Sequence, residues 1–242
     1  MSALPDSTRD ETTYQRIQVV PLAGSLGAEI GGVDLRHLDD ADFAEIHRAW
    51  LQHQVIYFRG QTMTPDEHLD FARRWGEIHI HPFNAPMEGY PEILQILKTE
   101  AATRNNGNRW HSDQMYTDAP AKATILLARE MPPYGGDTMF SNLYLAYETL
   151  SDGMKEMLSG LKGVHNGNSS KNFLGGSRAA QAKMGLIPTP QKDPDPDVQT
   201  VSVHPIIRTH PETGRKALYI GSHTERFDGM TDDESKPLLD YL

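Results

Sequence analysis

The sequence predicts a mainly β protein with peripheral helices, built as an antiparallel sandwich or barrel. Short runs rich in β-branched and aromatic residues recur through the second half of the chain, and turn residues separate them. Helical patterns are fewer and lie around this series of predicted strands. No repeat or heptad is visible, so neither a solenoid nor a coiled coil is expected.

The first part of the chain predicts a tail followed by short strands. Residues 1–15 are polar and are expected to form a loose N-terminal tail. Residues 16–35 interleave β-branched residues with glycines, a pattern typical of short strands joined by a tight turn. Residues 54–58 (QVIYF) predict a further strand.

Three helices are predicted from capping residues and apolar spacing. The Asp pair at residues 39–40 offers an N-cap for the first, which precedes apolar residues at helical spacing. Residues 64–67 (TPDE) form a capping box with Pro at the first helical position, so the second should run over 65–75 and stop at Gly76. The third is predicted over about 143–161, where an apolar stripe indicates packing on the core.

The remaining predicted strands lie in the second half of the chain, between turns rich in Pro and Gly. They are the runs 92–97, 124–128, 137–142, 201–210 and 217–222. The segment 166–200 is too long and too polar for a simple connection within a compact domain. It is predicted to be a lid loop, with disorder as the alternative.

The composition narrows the classes of function. Lys and Arg total 23 against 33 Asp and Glu, and the net charge of -10 would repel a phosphate backbone, so nucleic acid is not an expected partner. The chain has no Cys, which excludes disulfides and thiolate chemistry. No apolar run approaches the roughly 20 residues of a membrane span, and the N-terminus lacks the pattern of a secretory signal. A cytoplasmic protein without a membrane partner is therefore expected.

The most informative tripeptide is His111-Ser112-Asp113. In an extended segment residues i and i+2 point to the same face, so the imidazole and the carboxylate would converge. They supply two of the three ligands of the 2-His-1-carboxylate arrangement, which leaves open positions on Fe(II). The alternative is a structural His hydrogen-bonded to a neighbouring acid, and the tripeptide alone does not decide between the two.

The motifs around this tripeptide occur in a characteristic order. Before it come residues 58–61 (FRGQ) and 76–82 (GEIHIHP), and after it 132–136 (PPYGG), 137–140 (DTMF) and 204–219 (HPIIRTHPETGRKALY). From about residue 17 onward the chain resembles the taurine dioxygenase family of Fe(II)- and 2-oxoglutarate-dependent dioxygenases. That family includes alkylsulfatases and phenoxyalkanoate dioxygenases and adopts a double-stranded β-helix, or jelly roll. The resemblance implies a single dioxygenase domain over residues 16–242.

The resemblance also implies roles for individual residues. His111 and Asp113 match the first His and the carboxylate of the iron site, so they are the expected catalytic metal ligands. Thr138 matches a hydroxyl that helps to hold the 2-oxoglutarate carboxylate. The alternative for Thr138 is an ordinary β-branched strand residue.

Three further residues are expected to face the substrate. His81 matches a family position that contacts the anionic group of the substrate, with a half-exposed His at a strand end as the alternative. Asn84 and Gln114 stand where the taurine enzymes have an aromatic and a small apolar residue. The resemblance therefore points away from taurine itself.

One part of the family pattern is absent. The family ends with a segment that supplies the second iron His and the Arg that pairs with 2-oxoglutarate, and no such segment precedes Leu242. His204, His210 and His223, the histidines nearest the end of the chain, do not match that position. The C-terminal part of the fold is therefore expected to be missing from this chain, with the third ligand, a His, beyond Leu242.

The resemblance implies an enzyme that hydroxylates a small anionic organic substrate: a sulfonate, a sulfate ester or an aryloxyalkanoate. Fe(II) is the implied cofactor and 2-oxoglutarate the co-substrate, with release of succinate and CO2. The small substrate and O2 are the expected partners of a homo-oligomer, either a dimer or a tetramer. Two other classes stay open: a non-catalytic β-sandwich binding protein with a structural His-x-Asp pair, and a hydrolytic zinc enzyme, which would need three protein ligands.

Overall fold

The computed structural model describes residues 13–97, 109–169, 192 and 197–242. The chain divides into two compact units, one ending at Arg74 and the other beginning at Trp75. The single domain expected over residues 16–242 stays a prediction.

The first unit contains a three-stranded sheet. Strands β1 (Gln18–Pro21) and β2 (Ala28–Gly31) form an antiparallel hairpin, and β3 (Ile56–Phe58) pairs with β2 in parallel. Gly27, at the end of the connecting turn, has φ +91°, a conformation that glycine adopts without a steric cost. The strands predicted within residues 16–35 and 54–58 are therefore confirmed.

Two capped helices complete the first unit, α1 (Asp40–His53) and α2 (Pro65–Arg73). Asp39 caps α1 and Thr64 caps α2, each through a reciprocal capping box, so both predicted starts are confirmed. The predicted N-terminal tail lies outside the described residues up to residue 12. Of its last residues, Tyr14 donates a hydrogen bond of 2.8 Å to Gln52 in α1.

The second unit begins its regular structure with two short helices, α3 (Leu143–Glu148) and α4 (Asp152–Leu158). The prediction of one helix over 143–161 is wrong. The hydroxyl of Thr149 donates to the carbonyl of Leu145 at 2.9 Å, and the Ser151 hydroxyl accepts from the N–H of Met154 at 3.3 Å. These side chains satisfy backbone groups locally, ending one helix and capping the next.

Two further sheets and a final helix follow. The strands β4 (Lys162–Asn166), β5 (Val201–Pro205) and β8 (Thr224–Phe227) form an antiparallel sheet in the order β5-β4-β8, and β6 (Ile207–Thr209) pairs with β7 (Lys216–Leu218). Helix α5 (Asp232–Tyr241) closes the described chain. Its capping box, Thr231 with Glu234, was a sequence signal for a helix that was not predicted. Among the described residues of this unit, Leu158, Ile206, Leu218 and Phe227 form a buried hydrophobic cluster.

Three predicted strands are wrong: the runs 92–97, 124–128 and 137–142 are irregular. Apolar side chains within them are exposed, including Leu126 at 69% and Met139 at 74%. A strand is stable only when its backbone groups pair with a neighbour, and none of these runs pairs with a strand in the described part of the chain. High β propensity alone therefore does not produce a strand here.

The predicted fold class is confirmed at its coarser level. The described residues contain eight short strands in three sheets, most of them antiparallel, together with five helices. None of the helices in these ranges is long and apolar enough to cross a membrane.

The environment of one buried histidine in the second unit favours the neutral ring. His165 in β4 is fully buried, and its Nδ1 lies 3.1 Å from the Thr224 hydroxyl. Its Nε2 has no hydrogen-bond partner among the described residues. Burial is the main cause that lowers the pKa of His165 to about 4, and electrostatic interactions with His204, His223 and Arg208 act in the same direction.

The depressed pKa of His165 predicts acid lability. Because the unfolded state takes up a proton near pH 6.5 and the folded state only near pH 4, the stabilisation is present above pH 6.5 and is lost as the pH falls to 4. We expect this group to lower the free energy of unfolding by about 2 to 3 kcal/mol across that window. Urea unfolding at several pH values checks this. The His165→Gln variant should lose less stability over the same window, and an equal loss in both proteins would contradict the prediction.

Candidate functional site

The site is built on the segment that carries His111 and Asp113. Neither residue lies in a strand: His111 is in an irregular stretch, and Asp113 begins a turn that continues to Tyr116. The backbone still brings the two side chains to the same side, because His111 Nε2 lies 3.2 Å from Asp113 Oδ1. Both side chains are partly exposed, at 33% and 49%. Solvent species can therefore reach the pair.

The remaining polar atoms of the pair are held by neighbours. The Nδ1 of His111 lies 2.7 Å from the carbonyl oxygen of Arg109, which can only accept, so Nδ1 carries the proton. In the neutral ring the lone pair is then on Nε2, the atom that faces Asp113. Asp113 Oδ2 accepts a hydrogen bond of 2.6 Å from the Thr124 hydroxyl. In each side chain a hydrogen bond thus holds one polar atom, Nδ1 of His111 or Oδ2 of Asp113. The other atom, Nε2 or Oδ1, has a lone pair that can bind a metal ion.

The two groups perturb each other's protonation. The hydrogen bond to Asp113 raises the pKa of His111, with a smaller contribution from the Arg109 carbonyl. The same hydrogen bond lowers the pKa of Asp113, and the Thr124 hydroxyl and the electrostatic interaction with His81 add to the effect. The pair therefore favours a charged imidazole and carboxylate when no other cation is present.

This donor set fits two positions of a metal site. Two donors at right angles around an octahedral ion, each about 2.1 Å from it, lie about 3 Å apart, close to the 3.2 Å between Nε2 and Oδ1. Partners on the second atom of each ligand are typical of metal sites, because they fix the orientation of the ligand. Within the described ranges no group of three His, Cys, Asp or Glu is placed to hold an ion.

A row of aromatic rings lies beside the pair. The ring of His223 is edge-on to His111 with centroids 6.2 Å apart, and 5.3 Å from the ring of Tyr116. Tyr116 packs on Phe83 at 5.5 Å, and Phe83 lies 6.0 Å from His81. This row connects His81 to the His111 side of the site. Tyr116 was not singled out from the sequence, although it follows Asp113 closely.

His81 lies in a turn that fixes its ring. Its Nδ1 accepts hydrogen bonds from the backbone N–H groups of Phe83, at 3.1 Å, and Asn84, at 3.0 Å. The proton of the neutral ring is therefore on Nε2. The amine of Lys192 donates to the His81 carbonyl at 2.7 Å.

The other expected site residues are placed differently. Gln114 lies directly after Asp113, has φ +59° and is buried, with no hydrogen-bond partner for its Oε1 in the described part of the protein. Thr138 is exposed within an irregular run rather than in a strand. The lid predicted over 166–200 lies outside the described residues except at 166–169, 192 and 197–200.

Comparison with known proteins identifies the family. The family model described as "Taurine catabolism dioxygenase TauD, TfdA family" matches residues 18–242. The chain belongs to this family. The predicted resemblance is therefore confirmed over nearly the whole chain.

Relatives of this chain are about a third identical to it over the aligned residues. The (S)-phenoxypropionate/alpha-ketoglutarate-dioxygenase of Delftia acidovorans is 31% identical, with 93% of this chain and 78% of the relative covered. The alpha-ketoglutarate-dependent sulfate ester dioxygenase of Pseudomonas putida is 33% identical, with 93% and 73% covered.

Solved structures are similar in fold as well. A taurine dioxygenase from Burkholderia xenovorans superimposes with a TM-score of 0.74 at 34% identity, over 94% of this chain and 72% of that one. The structure of AAD-2 in complex with Mn(II) and N-oxalylglycine gives a TM-score of 0.69 at 26% identity, over 93% and 77%.

The protein is a 2-oxoglutarate-dependent dioxygenase of the TauD/TfdA family, with Fe(II) as cofactor and 2-oxoglutarate as co-substrate. This confirms the predicted enzyme class and disfavours the non-catalytic binding protein. Iron, when bound, supplies open coordination positions at which a keto acid and O2 react. His111 and Asp113 are the described side chains whose geometry fits this ion.

Proposed function

We propose that this TauD/TfdA protein hydroxylates a small anionic organic substrate, a sulfonate, a sulfate ester or an aryloxyalkanoate. The observation that supports this proposal is the pair of possible metal-binding atoms on His111 and Asp113, which lie 3.2 Å apart. The relatives of this chain are named for such substrates. 2-Oxoglutarate would be converted to succinate and CO2 in the same turnover.

His111 and Asp113 are proposed as two of the three iron ligands. His111 would bind through Nε2, because Nδ1 donates to the carbonyl of Arg109. Asp113 would bind through Oδ1, because Oδ2 accepts from Thr124. The third ligand stays a prediction, and we propose that the sheets belong to the jelly roll of the family.

The substrate side of the site is proposed to contain His81, Asn84 and Gln114. The backbone N–H groups bound to Nδ1 place the proton of the neutral His81 ring on Nε2, and an imidazole N–H is the type of donor that binds a sulfonate, sulfate or carboxylate oxygen. The orphan Oε1 of Gln114 is an acceptor next to the proposed metal ligand. An N–H donor at His81 supports an anionic group on the substrate, whereas the Gln114 acceptor supports a hydrogen-bond donor near the metal ligands.

The product reveals the substrate class. Hydroxylation of the carbon next to a sulfonate sulfur, or to the oxygen of a sulfate ester or aryl ether, gives an unstable product. Fragmentation then releases sulfite, sulfate or a phenol, respectively. Each of these can be measured together with succinate.

The test incubates the purified protein with Fe(II), 2-oxoglutarate, O2 and one member of each substrate class. We expect succinate and the matching fragment in equal amounts for at least one class. An uncharged analogue of the same carbon skeleton is the control and should give succinate at the background rate. Fragment release without O2 and 2-oxoglutarate would instead indicate the hydrolytic zinc enzyme and contradict the proposal.

The proposed role of Thr138 predicts a mild variant. Thr138→Ala should raise the 2-oxoglutarate concentration needed for half-maximal rate several-fold, because one neutral hydrogen bond is worth about 0.5–1.5 kcal/mol. Metal affinity should be unchanged, since Thr138 is not a proposed ligand. Titration of the rate with 2-oxoglutarate, with metal binding measured in parallel, checks both statements. Loss of metal binding in this variant would contradict the assigned role.

The cytoplasmic location and the dimer or tetramer expected from the sequence stay predictions.

A further inference from the structure

Two buried polar side chains of β5 reach the turn that begins at Asp113. The Ser202 hydroxyl donates to the carbonyl oxygen of Met115 at 2.9 Å, and His204 Nε2 lies 2.8 Å from the carbonyl oxygen of Thr117. Ser202 is 4% exposed and His204 7%. Both contacts join residues that are 87 positions apart in the chain.

The chemistry of the atoms fixes the direction of these bonds. The Thr117 carbonyl can only accept, so His204 Nε2 carries a proton and donates it. The Ser202 hydroxyl lies 2.9 Å from the same Nε2 and donates its own proton to the Met115 carbonyl. The Ser202 hydroxyl and the His204 imidazole thus form one hydrogen-bonded group. This group holds the carbonyl of Met115 in the turn and the carbonyl of Thr117 directly after it.

The turn needs such support for two reasons. Met115 is fully buried, so an unpaired carbonyl there would carry a desolvation cost. Gln114 has φ +59°, which non-glycine residues rarely adopt and which persists only where surrounding contacts over-determine the backbone. Ser202 and His204 supply contacts to the backbone directly after this strained residue.

The opposite flank of the proposed ligands is also held. The N–H of Ser222 donates to the carbonyl of Trp110 at 2.8 Å. A Cβ added at Gly221 would lie 3.1 Å from the Cα of His111, so this backbone packs closely against the ligand-bearing segment. With His111 held from this flank, the position of Asp113 depends on how the turn is held at Met115 and Thr117.

We infer that Ser202 and His204 are positioning residues, which set the separation of the His111 and Asp113 donor atoms by holding the carbonyls of Met115 and Thr117. The inference rests on the proposed function, because it assumes that this pair binds the metal. Neither side chain touches the metal, the keto acid or the substrate in this role. They act through the backbone of the turn.

The experiment measures Mn(II) affinity, with 2-oxoglutarate present, by titration calorimetry on the full chain and its variants. The Ser202→Ala and His204→Leu variants should bind Mn(II) about tenfold or more weakly, in the range seen when partners of metal ligands are removed. His204→Gln should retain most of the affinity, because the side-chain amide of Gln donates from nearly the same place as Nε2.

A matched control separates positioning from general stability. Ser235 is fully buried; its hydroxyl donates to the Thr231 carbonyl at 2.8 Å and accepts from the N–H of Phe227 at 3.0 Å. Ser235→Ala should therefore lower the unfolding temperature at least as much as Ser202→Ala while leaving Mn(II) affinity unchanged. Thermal unfolding of each variant shows which proteins are folded at the temperature of the titration.

The outcomes separate a failure of the positioning role from a failure of the proposed function. Wild-type Mn(II) affinity in folded Ser202→Ala and His204→Leu would overturn the positioning role and leave the proposed function standing. Weakened binding in Ser235→Ala equal to that in Ser202→Ala would overturn it as well. Absence of Mn(II) binding by the unaltered protein would overturn the proposed function and, with it, this inference.

Discussion

Replacing Asp113 with Ala is expected to abolish hydroxylation and to lower Mn(II) or Fe(II) affinity by more than about 100-fold. The change removes the carboxylate whose Oδ1 lies 3.2 Å from His111 Nε2, so the described pair loses one of its two donors. It also frees the Thr124 hydroxyl, which is too weak a ligand to replace a carboxylate. Succinate formation and calorimetric metal titration measure the two effects.

Asp118→Ala is the matched control for this prediction. Asp118 lies shortly after the same turn, and its Oδ1 accepts a hydrogen bond of 2.7 Å from Gln199. Its loss removes a carboxylate of the same segment without touching His111 or the proposed metal position. We expect metal affinity within about a factor of two of the unaltered protein, the size of effect usual for surface substitutions. Normal turnover in folded Asp113→Ala would refute the iron assignment.

Replacing Gly167 with Ala is expected to destabilise the protein by about 2 to 3 kcal/mol or more. A Cβ at this position would lie 2.5 Å from two ring atoms of Tyr116, a distance that real Cβ contacts do not reach. The Tyr116 ring cannot move away freely, because it is 3% exposed and packs between Phe83 and His223. Urea unfolding monitored by fluorescence measures the change.

Gly153→Ala is the control for the same chemical change. Gly153 lies inside α4, and apart from its chain neighbours and the backbone of its own helix, no heavy atom of the described residues lies within 4 Å of an added Cβ. Alanine favours the helix over glycine by up to about 1 kcal/mol, so this variant should be slightly more stable. A Gly167→Ala protein as stable as the unaltered one would show that the packing of Tyr116 is incorrectly described.

Local signals in the sequence determined the elements whose hydrogen bonds join residues close together in the chain. The capping boxes at Asp39 and Thr64 join residues three apart, and both helices begin where the boxes predict. The hairpin of β1 and β2 likewise needs only neighbouring residues. The split between α3 and α4 was also local, because Thr149 and Ser151 bind nearby backbone groups. The apolar stripe from which a single helix was predicted does not reveal this split.

Long-range pairing was not accessible in the same way. Three runs have the composition of strands but are irregular: 92–97, 124–128 and 137–142. A strand forms only where another backbone segment pairs with it, and composition does not indicate which segment that is. The sheet β5-β4-β8 places Val201 opposite Asn166, a pairing that spans the largely undescribed segment between them. No periodicity within either run indicates that register.

The sequence by itself predicted the family, the enzyme class and the convergence of His111 and Asp113. The convergence was predicted for an extended segment, in which residues i and i+2 share a face, and the structure produces it from a turn. Only the tertiary structure decided what surrounds them: the ring of His223, and the contacts of Ser202 and His204 to the turn. Those contacts join residues about 90 or more positions apart only after the chain has folded. Which side chains meet is then set by packing and strand register, and neither is written in local spacing.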